Sequence, residues 1–110
     1  MASRSKTLVS TNYAAQAFAA IGSISRIQVL LVIEKSGDSG LTIGEIQKKT
    51  DMVASTLAHH LRFLSEAKLI FQRKEGRKIF NHTNIAAIES LSSFLHSVIN
   101  NKHEGDDSFE

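Results

Sequence analysis

A mostly α-helical domain carrying one small β-hairpin is what this sequence predicts, on three observations. Apolar residues recur three and four apart through most of the chain, the mark of helices with one buried face. A single β-rich segment, Leu69 to His82, is folded about a glycine. The chain has no proline, so its elements are ended by glycine, capping side chains or charge. At 110 residues with 42% hydrophobic content, it allows one domain with a thin core, for which dimerisation is the expected supplement. Residues 7–101 read as that domain, 1–6 as a disordered N-terminus and 102–110 as an acidic flexible tail.

Thr7 to Ile21 is rich in small apolar residues, with Tyr13, Ala14, Ala17, Phe18 and Ile21 at helical spacing, which suits a helix packed closely on another. Ser23 or Ser25 starts a second helix, in which Ile27, Leu30, Leu31 and Ile33 form the expected buried stripe and SGDSG ends it. Thr42 with Glu45 three residues later is a capping box, each side chain satisfying an orphan amide of the other, and sets a short helix from Ile43 to about Lys49. After the turn TDMV, Leu57, Leu61 and Leu64 recur at i, i+4 and i+7, leaving the opposite face to Ser55, His59 and Arg62, with Thr56 beside them. IFQRK and RKIFN flank Glu75-Gly76 as a hairpin, and Ile70, Ile79 and Phe80 are expected to pack its base on the helices.

A last helix, Asn84 to Asn101, shows Ile85, Ile88, Leu91, Leu95 and Val98 or Ile99, with Phe94 alongside, a stripe wide for so small a domain. It is expected to pair with the helix of Tyr13 to Ile21 and its symmetry mate in a homodimer. The expected interface is Tyr13, Ala14, Ala17, Phe18, Ile88, Leu91 and Leu95; closure of the monomer core is the alternative.

Composition narrows the function. Without cysteine there are no disulfides, thiolate metal sites or thiol redox sensing, and no apolar run is long enough for a membrane span or signal peptide, so a cytoplasmic location is expected. The formal charge of +2 hides an asymmetry: four of the eleven acids lie in the last seven residues, and the thirteen basic residues before them face only seven acids. Between Ile46 and His82 eight basic residues face three acidic ones, which suits a polyanion; a solvated face is the plainer reading.

Two helices joined by a short turn, the second polar and uncharged at its start, make a helix-turn-helix, with an ordinary helical hairpin as the alternative. Ser55, Thr56, His59 and Arg62 can all hydrogen-bond to phosphates or base edges, where a merely solvated helix more often shows glutamate and lysine. Arg73, Lys74, Arg77 and Lys78 then place four cations within six residues, which repel one another unless a polyanion or bulk water compensates. A wing that grips phosphate explains them. The expected fold is therefore a winged helix-turn-helix, with four helices, two strands and a final helix.

Three stretches, AIGSISRIQVLLVI with Arg26, STLAHHLRFLSEAKLI with His60-Leu61 and Leu64 through Leu69, and EGRKIF, are together similar to the ArsR/SmtB family of dimeric winged-helix bacterial repressors. The resemblance covers almost all of Ala14 to Asn101 and implies a recognition helix in the second stretch and a wing strand in the third. Ala58 departs from a serine that touches DNA in many members, which leaves groove contacts to Ser55, Thr56 and His59. Lys68 replaces a glycine at the helix exit, where a left-handed non-glycine residue costs about 1 kcal/mol. The family's sensing cysteines are missing, which excludes arsenic, cadmium and lead sensing of the usual kind. The histidine and carboxylate pattern that some relatives carry on the last helix is also missing, since His82, Asn84, Leu95 and Val98 stand there; only His96, His103 and Glu104 are left for an irregular site. No metal or other cofactor is expected.

His60 reads as structural, near the junction of helix and wing, and His59 as facing DNA. There is no glycine-rich phosphate loop, no suitably paired carboxylates and no nucleophile with a positioned base, so no enzyme is expected. The reading is a homodimeric repressor whose recognition helices enter successive major grooves of double-stranded DNA about 34 to 36 Å apart on a palindromic operator. The alternative is a winged-helix antirepressor or protein-interaction module that does not read sequence. RNA is disfavoured, because the helix face lacks aromatics to stack unpaired bases.

Overall fold

Five α-helices and one two-stranded antiparallel sheet make up residues 9–100, the part of the chain that the computed structural model describes. In order they are α1 (Thr11–Ile21), α2 (Ile24–Lys35), α3 (Ile43–Thr50), α4 (Ala54–Glu66), β1 (Ile70–Glu75), β2 (Lys78–Thr83) and α5 (Ile85–Asn100), with a 3-10 turn (Gly37–Ser39) after α2. This is the expected order of elements. The segments read as a loose N-terminus and an acidic tail, with His103 and Glu104, lie outside the described residues.

Side-chain caps set most boundaries. Ser10 is extended and accepts from the Tyr13 amide, so α1 starts at Thr11 rather than Thr7. Ser23, not Ser25, caps α2, and both halves of the Thr42–Glu45 capping box are formed at α3. Lys68 is left-handed (φ 62°), as the missing glycine implied. That conformation turns its carbonyl to Asn84 Nδ2 (2.8 Å), while the Asn84 side chain in turn accepts from the Ala87 amide and starts α5. A costly backbone angle thus links the exit of α4 to the entry of α5.

The core runs from Ala14, Ala17 and Ala20 of α1, whose small side chains allow close approach, through Ile46 of α3 to Leu57, Leu61 and Leu64 of α4 and Leu91 of α5. In α2 the expected stripe is rotated. Val29 and Ile33 are the buried pair, one turn apart, because that face meets α3, α4 and β2, whereas Ile27 and Leu31 are 41% and 59% exposed.

The hairpin register pairs Ile70 with Thr83 and Glu75 with Lys78, so its loop is Gly76-Arg77, one residue later than expected. Glycine with φ 65° at the first loop position is what a tight two-residue hairpin favours. Ile70 is buried at the hairpin base and Phe80 half-buried, but Ile79 is 52% exposed, because it pairs with Lys74 near the tip, beyond the reach of the core. The buried residues of β2 are instead Asn81 and His82.

Asn81 holds a three-way junction. Its backbone exchanges two hydrogen bonds with Leu41 ahead of α3 (3.0 and 2.7 Å), forming an isolated bridge. Its Nδ2 donates to the Leu41 carbonyl (3.1 Å), and its Oδ1 accepts from Gln72 Nε2 (2.7 Å), whose Oε1 accepts from Ser65 of α4 (3.4 Å). Asn81→Leu should lower stability by about 1 to 3 kcal/mol, since it strands buried partners. Chemical denaturation measures this, and an unchanged midpoint would remove Asn81 from that role.

Candidate nucleic-acid interface

The face of α4 opposite the Leu57, Leu61 and Leu64 stripe carries Ser55, Thr56, His59 and Arg62, all exposed. Ala58 is exposed among them and offers no polar atom. The N-cap residue of the helix is Val53, whose side chain makes no capping hydrogen bond, so the first-turn amides of α4 are donors left over for solvent or an anion. Sequence spacing gave no sign of that second donor set; the clue was the lack of Ser, Thr, Asp or Asn just before the helix. The His59 ring meets Phe63 edge-on (4.8 Å between centroids), which limits its rotation.

Arg73, Lys74, Arg77 and Lys78 are all exposed on the hairpin. Strand alternation divides the cations, with Arg73 over the ring of Phe71 (5.8 Å to its centroid) on one face and Lys74 opposite Ile79 on the other. Between α4 and the hairpin lies a groove of about 360 Å³ lined by Ala58 and Arg62 of the helix and Gln72 and Ile79 of the hairpin, among others; the four hairpin cations stand outside it. Exposed Ile79 gains a place there as the apolar wall between them.

Arg26 reaches this region from behind. Its Nε donates to the Ala20 carbonyl (2.5 Å), Nη1 lies 3.4 Å from His60 Nδ1, and its guanidinium stands 4.7 Å from the centre of the Phe63 ring. His60 therefore packs towards α2 rather than the wing junction expected for it. Burial first, then the charges of Arg26 and His59, lower its pKa below the usual 6.5. The fold thus favours neutral imidazole, a contribution that is complete above pH 6.5 and fades as the pH falls through the lowered value.

The residues read as a dimer interface do not share one open face. Ala14, Ala17 and Leu91 are buried within the single chain, Tyr13, Phe18 and Ile88 are half-buried against its core, and Leu95 is 52% exposed. Tyr13 donates to the Ala67 carbonyl at 2.6 Å. Among the described residues, no three histidine, aspartate or glutamate side chains converge to hold a metal ion, and no single helix is long and apolar enough to cross a membrane.

An ArsR-like transcriptional regulator from a Rhodococcus species has this architecture, with a TM-score of 0.77 over 89% of this chain and 90% of that one at 18% identity. The chain has the winged-helix fold of ArsR-family regulators. A homodimeric winged helix-turn-helix DNA-binding domain from Mycobacterium bovis, described as a possible ArsR-family regulator, shares the fold at a TM-score of 0.62 and 20% identity, over 86% of this chain and 84% of that one. In sequence, this chain is 35% identical to the uncharacterized HTH-type transcriptional regulator YceK of Bacillus subtilis over 57% of its length. It is 27% identical to the transcriptional activator HlyU of Vibrio cholerae over 64%. It spans 62% of YceK and 63% of HlyU, a little under two thirds of each. No family model matches the chain.

Proposed function

We propose that the protein is a homodimeric transcriptional regulator of the ArsR type that binds double-stranded DNA, with α4 in the major groove and the hairpin on the flanking backbone. The observation that carries this reading is an exposed Ser55, Thr56, His59 and Arg62 face on α4 beside a hairpin that exposes four cations, with Arg62 on the groove between the two elements. On it, Ser55, Thr56 and His59 read base edges, Arg62 contacts base or phosphate, and Arg73, Lys74, Arg77 and Lys78 grip phosphates. Two such surfaces about 34 to 36 Å apart fit a palindromic operator, and occupancy of a promoter represses by excluding polymerase. The name of HlyU marks the opposite sign for one relative; a promoter reporter in cells with and without the protein decides between them.

The dimer reading is supported by the apolar face that α5 leaves open in one chain, where Leu95, Val98 and Ile99 are 52 to 61% exposed. The half-buried Phe18 and Phe94, with rings 6.5 Å apart, brace α1 against α5 beneath it. Leu95→Glu should convert the dimer to a folded monomer in analytical ultracentrifugation; a variant that stays dimeric places the contact elsewhere.

Wing and helix are tested apart. Arg77→Ala with Lys78→Ala should weaken binding to all duplexes alike and flatten the dependence of affinity on salt, because each phosphate contact releases counterions. Unchanged promoter affinity would refute the wing assignment. His59→Ala should cost roughly 1 to 3 kcal/mol on the cognate site and little on random DNA. An equal loss on both would make His59 a backbone contact. Binding that is insensitive to salt throughout would favour a protein partner over DNA.

A further inference from the structure

On the exposed face of α4, Ala58 stands among Ser55, His59 and Arg62 and offers neither a charge nor a hydrogen bond. Ser55, Ala58 and Arg62 fall at i, i+3 and i+7, one line along the helix, so the Ala58 methyl has a hydroxyl on one side and a guanidinium on the other. His59 belongs to the neighbouring line, since its ring meets Phe63, which Arg26 covers from α2. The line of Ala58 is turned to the hairpin instead: Ala58 and Arg62 both line the groove between α4 and the hairpin, whereas His59 does not.

Two more apolar side chains that the core leaves uncovered line the same groove. Ile43 of α3 is 41% exposed and Ile79 of β2 is 52% exposed, and with Ala58 they bring apolar surface from three elements to one place. An apolar lining set between Ser55 and Arg62 on the helix and a cationic hairpin suits a partner that is negatively charged outside and apolar at one point. Double-stranded DNA has that chemistry. The groups that its base pairs present in the major groove are hydrogen-bond donors and acceptors, with a single apolar group among them, the C5 methyl of thymine.

We propose that Ala58 is a specificity-determining residue that packs on the C5 methyl of a thymine, with Ile43 and Ile79 as the apolar wall behind it. The inference rests on the DNA-binding reading and deepens it by naming a base that α4 selects. At a rise of about 1.5 Å per residue, Ser55 to Arg62 spans about 10 Å, close to three base-pair steps of about 3.4 Å, and Ala58 stands opposite the middle of that span. Cytosine there would turn an amino donor onto a methyl group and leave it without a partner, so it is disfavoured.

The test uses the full chain and duplexes that it selects from a random pool, resynthesised with deoxyuridine in place of one thymidine at a time, which removes the methyl and leaves the pairing edge intact. Fluorescence anisotropy should show a thymine in each half-site whose replacement weakens wild-type binding about three- to tenfold, the effect of one buried methyl. In Ala58→Gly that penalty should shrink below about twofold, whereas the wing variant Arg77→Ala with Lys78→Ala should keep it in full. Ala58→Ser, an exposed change that spares the helix the flexibility of glycine, should shrink it likewise. The proposal is overturned if no uridine weakens binding by more than about twofold, if the penalty persists in both Ala58 variants, or if Thr56→Ser abolishes it, which would make the threonine methyl the contact. Selected duplexes that bind well and ignore uridine sink this inference alone; a chain that enriches no duplex sinks the DNA-binding reading with it.

Discussion

One buried amide fixes the relation of the hairpin to α4. A two-stranded hairpin has little stability alone and can point in many directions. Asn81 removes that freedom by bonding backward to Leu41 through main chain and side chain together, and outward through Gln72 to Ser65. The hairpin is thereby stitched as a partial third strand to the entry of α3, and its other face is tied to α4. Apolar packing could hold it on the core but would leave its angle soft. Directional hydrogen bonds, running from the buried Asn81 to the exposed Ser65–Gln72 pair, set the angle, and with it the groove between helix and wing.

Arg26 does the corresponding work on the far side of α4. It stands on α2 and closes on the last turn of α1 through the Ala20 carbonyl and on α4 through Phe63 and His60. The exposed face of α4 is therefore held between two polar anchors, with the leucine stripe beneath it. Both anchors are single side chains that reach across elements, and rotation of α4 would break one or the other.

How much of this was legible follows from the range of the forces involved. The capping box at Thr42, the leucines of α4 and the order of elements are written in residues three to seven apart, and each is where the sequence puts it; the left-handed Lys68 is implied only by the resemblance to a family that has glycine there. The candidate face could be read for the same reason, since exposure on α4 follows from the leucines opposite. What failed depended on distant packing. Ile79 has the composition of a core strand residue but stands near the hairpin tip, and the stripe in α2 turned because three elements press on Val29 and Ile33. Asn81 was invisible, since its partners lie as far as 40 residues away and a lone asparagine in a strand has no local signature.

The backbone on either side of α4 is strained at two points that are not glycine: Asp51 (φ 60°) just before it and Lys68 (φ 62°) just after it. For an L-residue that conformation costs roughly 1 kcal/mol, less for aspartate, whose short side chain tolerates it. Glycine at Lys68 would relieve the strain but enlarge the entropy of the unfolded chain, so the two effects partly cancel. What remains is a small reserve of thermal robustness beside the interface that evolution or engineering can draw on without altering any residue of the proposed reading face.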